Sequence, residues 1–160
     1  MFEYRITKYD PRFRDERGAY TRPDWIRFQD VGEIFSGAVL TREAYDAVEN
    51  AYVASAISFL REVGLNSLRV VAMDRGPGNS PFSPGSVLGL DDIALAIRGL
   101  LREKYWFKLE SAQAFIHIGW DFYMYVGVPR ECPQSISETR RLGLFAEEFR
   151  SPYRGGEQEP

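Results

Sequence analysis

The stretch AFIHIGWDFYMYVGV, residues 114–128, decides how this chain is read. It holds Phe115, Trp120, Phe122, Tyr123 and Tyr125, the sole histidine His117, and a carboxylate, Asp121, four positions later. β-Branched and aromatic residues dominate it, which predicts two strands, 114–118 and 122–128, joined at 119–121. A pair this apolar belongs in the middle of a sheet. Alternation along the second strand puts Phe122, Met124 and Val126 on one face and Tyr123 and Tyr125 on the other.

Working outward toward the C-terminus, Pro129 ends the sheet, and Ser135 or Ser137 opens a helix read through Phe149, with Leu142, Phe145 and Phe149 as its apolar stripe. The tail SPYRGGEQEP, residues 151–160, is polar and glycine-rich and reads as flexible. Toward the N-terminus, 106–110 reads as a strand. Asp91 or Asp92 caps a helix running to Lys104 or Tyr105, with Ile93, Ile97, Leu100 and Leu101 facing inward. Residues 75–86, RGPGNSPFSPGS, form a loop, and 67–74 a strand.

The long stretch 42–63 has no Gly or Pro and repeats Tyr45, Val48, Tyr52, Ile57 and Leu60 at near-helical spacing. Thr41 is its N-cap and Gly64 its C′ residue. Before it, 34–40 is a short strand or turn around Gly37, 25–28 a short strand ending at Asp30, and 12–23 a charge-rich loop. The alternation of 2–8 predicts a half-buried strand. Strands from both ends around a central meander predict an α+β fold: one domain over 1–150, a mostly antiparallel sheet, and about three helices packed mainly on one face.

Composition sets outer limits. The chain has 160 residues, enough for one domain with a substantial core, and its 44% apolar and 27% charged residues are ordinary for a soluble globular protein. Eleven Phe, nine Tyr and three Trp will dominate packing, and tyrosine hydroxyls need partners wherever they are buried. A net charge of −3 argues against nucleic acid and is compatible with a basic protein partner. The single cysteine, Cys132, fits a reducing compartment. With no apolar h-region at the start and no run long enough to span a bilayer, the expected location is cytoplasmic, with no membrane partner.

Few residues carry recognisable chemistry. His117 with Asp121 would suit acid–base work if the turn brought them together. Gly76-Pro77-Gly78 follows a strand but lacks the remaining glycine and the lysine of phosphate-binding loops. One histidine and one cysteine cannot form a His/Cys zinc site, scattered carboxylates leave a magnesium site open, and no metal centre or cofactor is expected. The arginines at 12, 14, 17, 22 and 27 interleave with Asp10, Asp15, Glu16 and Asp24, the pattern of a solvated surface.

Three segments together, YRITKYDP (4–11), DWIRFQDVG (24–32) and GWDFYMYVG (119–127), resemble small bacterial cytosolic proteins encoded beside polymorphic or contact-dependent toxins and regarded as immunity proteins. That resemblance implies a non-catalytic protein that binds and blocks a cognate toxin. The expectation is therefore a protein-binding, immunity-type inhibitor with Trp25, Asp30, Trp120, Asp121, Tyr123 and Tyr125 as contact residues, since Trp and Tyr beside Asp make good hot spots. The alternative is a small enzyme or ligand-binding domain whose pocket uses His117, Asp121 and Tyr123.

Overall fold

A computed structural model describes residues 1–74 and 80–155. Its sheet strands are β1 (Phe2–Thr7), β4 (Ser67–Val71), β5 (Val87–Gly89), β6 (Lys108–Glu110), β7 (Phe115–Ile118), β8 (Met124–Val128) and β9 (Phe145–Glu148). They form one seven-stranded sheet in the order β5-β4-β6-β7-β8-β1-β9. Every neighbouring pair is antiparallel. A separate hairpin joins β2 (Ile34–Phe35) and β3 (Ala38–Val39). The described residues also hold three α-helices: α1 (Arg42–Glu62), α2 (Leu90–Leu101) and α3 (Pro133–Arg141). The fold is α+β, as the order of patterns predicted, and the 114–128 stretch occupies the sheet's interior. Among the described residues no helix is long and apolar enough to cross a membrane.

The two faces of the sheet differ. On the helix side, Tyr4, Ile6, Leu68, Val70, Leu109, Ile116, Met124 and Val126 join Tyr52, Phe59, Ile93 and Ile97 in the main core. On the outer side Phe115, Tyr125 and Tyr153 form a second, smaller cluster. Alternation thus sorts β8 as expected, but both its faces are buried, because the chain's own C-terminal segment covers the tyrosine side.

Helix ends follow local chemistry. Thr41 caps α1 by accepting the Ala44 N–H at 3.1 Å. Gly64, at φ 73°, ends it in a left-handed turn that lets Leu65 N–H reach Leu60 C=O. The α2 cap differs from expectation. Gly89 holds the N-cap position and the helix leaves β5 directly, so Asp91 and Asp92 lie in the first turn, where they complement the helix dipole.

The last helix is also shorter than its apolar stripe suggested. Pro133 starts α3, and Gly143 at φ 86° stops it by the same left-handed geometry as Gly64. Residues 145–148 then become β9, paired with β1, rather than the end of a helix. Residues 25–28 form no strand. Asp30 accepts the N–H groups of Ile26 and Arg27 at 2.9 and 3.3 Å, and the chain turns into a 3-10 helix at Phe28–Asp30. The Gly76-Pro77-Gly78 segment lies outside the described residues, as do 156–160.

The expected frayed tail is ordered where it is described. Ser151 and Tyr153 are buried, because Tyr153 packs on the aromatic outer cluster and its carbonyl accepts from the Lys108 ammonium at 2.5 Å.

Candidate protein-binding turn and the histidine anchor

The connection between β7 and β8 is a 3-10 turn at Trp120–Phe122. Two consecutive non-glycine residues in it, Asp121 (φ 61°) and Phe122 (φ 65°), have positive φ. Such backbone costs about 1–3 kcal/mol per residue and persists only where the surroundings impose it. Here they do. The Tyr9 hydroxyl donates to the Asp121 carbonyl at 2.6 Å, and the Tyr52 hydroxyl to the Phe122 carbonyl at 2.7 Å. Gly119 N–H closes the turn on Tyr123 C=O at 2.8 Å. Phe122 then points inward, edge-on to Trp25, Tyr45 and Tyr52. Trp120 is left 55% exposed and Asp121 is exposed beside it.

Gly119 serves the same turn. A Cβ there would lie 2.5 Å from the Tyr153 hydroxyl, so only glycine lets that ring approach. The hydroxyl in turn takes a hydrogen bond from the Trp120 backbone. Beneath the turn, Lys8 lies 4.2 and 4.1 Å from the ring centres of Tyr9 and Trp25 and 2.7 Å from Asp24. Burial pushes its ammonium down to about 8, against the pull of Asp24.

The other expected contact residues fare differently. Trp25 is buried against Tyr45 and Phe122 and so braces the turn, and Asp30 is buried as the cap already described, so neither is presented at the surface. Tyr125 is buried under Tyr153 and Phe149. Tyr123 is half-buried, stacked on Tyr9 at 5.3 Å, with its hydroxyl accepting from Arg14 at 3.1 Å.

His117 and Asp121 do not form a pair. The carboxylate on His117 is Glu110, which accepts from Nε2 at 2.8 Å, and on its other side Nδ1 meets the Ser151 hydroxyl at 2.7 Å. An ionised Glu110 accepts only, so Nε2 carries the proton and Nδ1 takes the serine's. The ring stacks on Phe115 at 4.1 Å, edge-on to Tyr153. Gly127 makes room, because a Cβ there would lie 2.2 Å from the Phe115 ring. Burial pushes the imidazole pKa down to about 4, although Glu110 pulls it up.

Serine, histidine and glutamate in sequence of hydrogen bonds are also the parts of an acyl-transfer triad, but a nucleophile must meet its substrate. Ser151 is 3% exposed and its oxygen already accepts the Tyr153 N–H, while His117 is 1% exposed. The arrangement is an anchor that fastens the C-terminal segment across the sheet. Ser151 N–H bonding to Glu3 and the Arg154–Glu3 ion pair strengthen it.

Sequence reading missed Glu110, Lys108 and Ser151. Alternation could have put Lys108 and Glu110 on the outer face. Nothing local marked Ser151, which lies in a segment of ordinary tail composition. Comparison with family profiles, with curated proteins and with solved structures finds no match to this chain.

Proposed function

We propose that this protein is a non-catalytic protein-binding module, of the immunity type that neutralises a bacterial toxin, and that Trp120 and Asp121 are its contact point. The observation that carries this reading is the turn itself. An exposed indole precedes two strained residues, Asp121 and Phe122, whose carbonyls accept from two buried tyrosine hydroxyls, so the turn that presents the ring is fixed from beneath. Tryptophan is among the commonest binding hot spots, and a preorganised side chain loses little entropy on association. On the nearby outer face Tyr125 and Tyr153 are buried.

The test is co-expression with toxins encoded by neighbouring genes, scored by growth and by affinity capture of the full chain. Trp120→Ala is expected to abolish protection and weaken binding by about 2 kcal/mol or more, with an unchanged melting temperature. Binding within about 0.5 kcal/mol of the unaltered protein would remove the turn from the interface.

A further inference from the structure

We propose that the free edge of β9 docks an extended segment of a partner protein bearing a lysine or arginine, which joins the sheet as an added strand. This inference is independent of the Trp120 turn and rests on the opposite side of β9 from β1, where the sheet order ends.

Register decides which groups are free. Phe149 N–H donates to Glu3 C=O at 3.1 Å, and Tyr4 faces Glu148 as Ile6 faces Ala146. Bonded and non-bonded pairs alternate in an antiparallel ladder, so 145, 147 and 149 exchange hydrogen bonds with β1. The N–H and C=O groups of Ala146 and Glu148 therefore point away from it, toward the side without a strand. Their side chains share the helix face with Tyr4 and Ile6. An added strand would send every second side chain to that same face.

A pocket of about 290 Å³ opens there, lined by Tyr4, Glu131, Pro133, Ile136 and Arg140 together with Ala146 and Glu148 of the strand. Pro133, Ile136 and Ala146 supply its apolar lining. Its lining also holds two carboxylates against one guanidinium, and among the described residues neither Glu131 nor Glu148 enters an ion pair. Burial raises the pKa of the Tyr4 hydroxyl, and Cys132, Glu131 and Glu148 add to the rise, as a locally negative pocket requires. A lysine or arginine fits both parts, its methylene stem on Pro133 and Ile136 and its charge at the carboxylates. A second copy of the chain fits less well, because edge-to-edge pairing would bring acidic β9 strands together, a common device against self-association. Main-chain bonds would supply affinity and the pocket specificity, as in other strand-addition complexes.

The probe is a displayed library of random short peptides selected on the immobilised full chain. Enriched peptides are expected to carry a lysine or arginine, and to bind the Ala146→Pro variant at least about tenfold more weakly. Proline at 146 removes an N–H that β1 does not use, at an edge strand where proline is tolerated, so circular dichroism and the urea midpoint should report a folded protein. Should that variant unfold, Glu148→Lys takes its place and is expected to shift selection toward acidic peptides. The proposal is overturned if no peptide is enriched, if enriched peptides lack basic residues, or if their binding ignores both substitutions. Concentration-dependent dimers abolished by Ala146→Pro would equally overturn it in favour of a second copy.

Discussion

His117 is the chain's single histidine, and its setting makes stability depend on acid. Burial lowers its pKa to about 4 in the folded protein, whereas an unfolded chain titrates near 6.5. Between those values the unfolded state binds more protons, so the stabilisation is complete above about pH 6.5 and is lost as pH falls toward 4. Urea denaturation of the unaltered protein should therefore report a loss of up to about 3 kcal/mol across that window. His117→Gln, less stable at neutral pH, should have a flatter profile there. A pH profile unchanged by the substitution would mean that the imidazole titrates normally. At this scale the strand that carries His117 was legible in the sequence, but its partners were not. Glu110 lies on a neighbouring strand and Ser151 comes from 34 residues further along the chain.

Among the elements, the β7–β8 turn depends most on residues outside itself. Its strained dihedrals are held by Tyr9, from the loop after β1, and by Tyr52, from the middle of α1. Tyr9→Phe and Tyr52→Phe should each cost about 1 kcal/mol, the usual net worth of a buried hydrogen bond. Both should also speed amide exchange at Gly119 and Tyr123, whose N–H groups close the turn. Exchange that stays slow would show that the local sequence alone holds the turn. The α3–β9 junction teaches the complementary lesson. Leu142, Phe145 and Phe149 have helical spacing, yet Gly143 breaks the helix and β1 offers a ladder to whatever follows. A glycine in left-handed backbone outweighed a three-residue apolar stripe.

Across the whole molecule, the C-terminal segment covers the aromatic patch on the sheet's outer face. Tyr153 meets Trp106, His117 and Tyr125, three side chains from three different parts of the sheet region. Tyr153→Ala should therefore cost about 3 kcal/mol, the range for removing a large buried ring. It should also expose Tyr125 to solvent, readable as a shift in near-ultraviolet absorbance. A loss below about 1 kcal/mol would mean that the segment is a loose cover. The helix layer carries a second long-range link. Glu49, buried in α1, accepts from the Tyr45 hydroxyl at 2.6 Å and from Arg102 and Arg98 at 2.8 and 3.1 Å. Burial alone would raise its pKa, and these donors outweigh it, holding the carboxyl below the usual range.

Patterning by itself determined the α+β class, the long helix α1 with its Thr41 and Gly64 ends, and the central place of residues 114–128. Those features follow from hydrophobic period and from backbone preferences of single residues, which act over a few positions. Tertiary structure alone decided that Trp25, Asp30 and Tyr125 are internal, that Trp120 stays outside, and that Glu110 and Ser151 hold His117. Each of those outcomes depends on groups far apart in the chain competing for the same space and the same hydrogen bonds. No local rule of period or propensity encodes that competition.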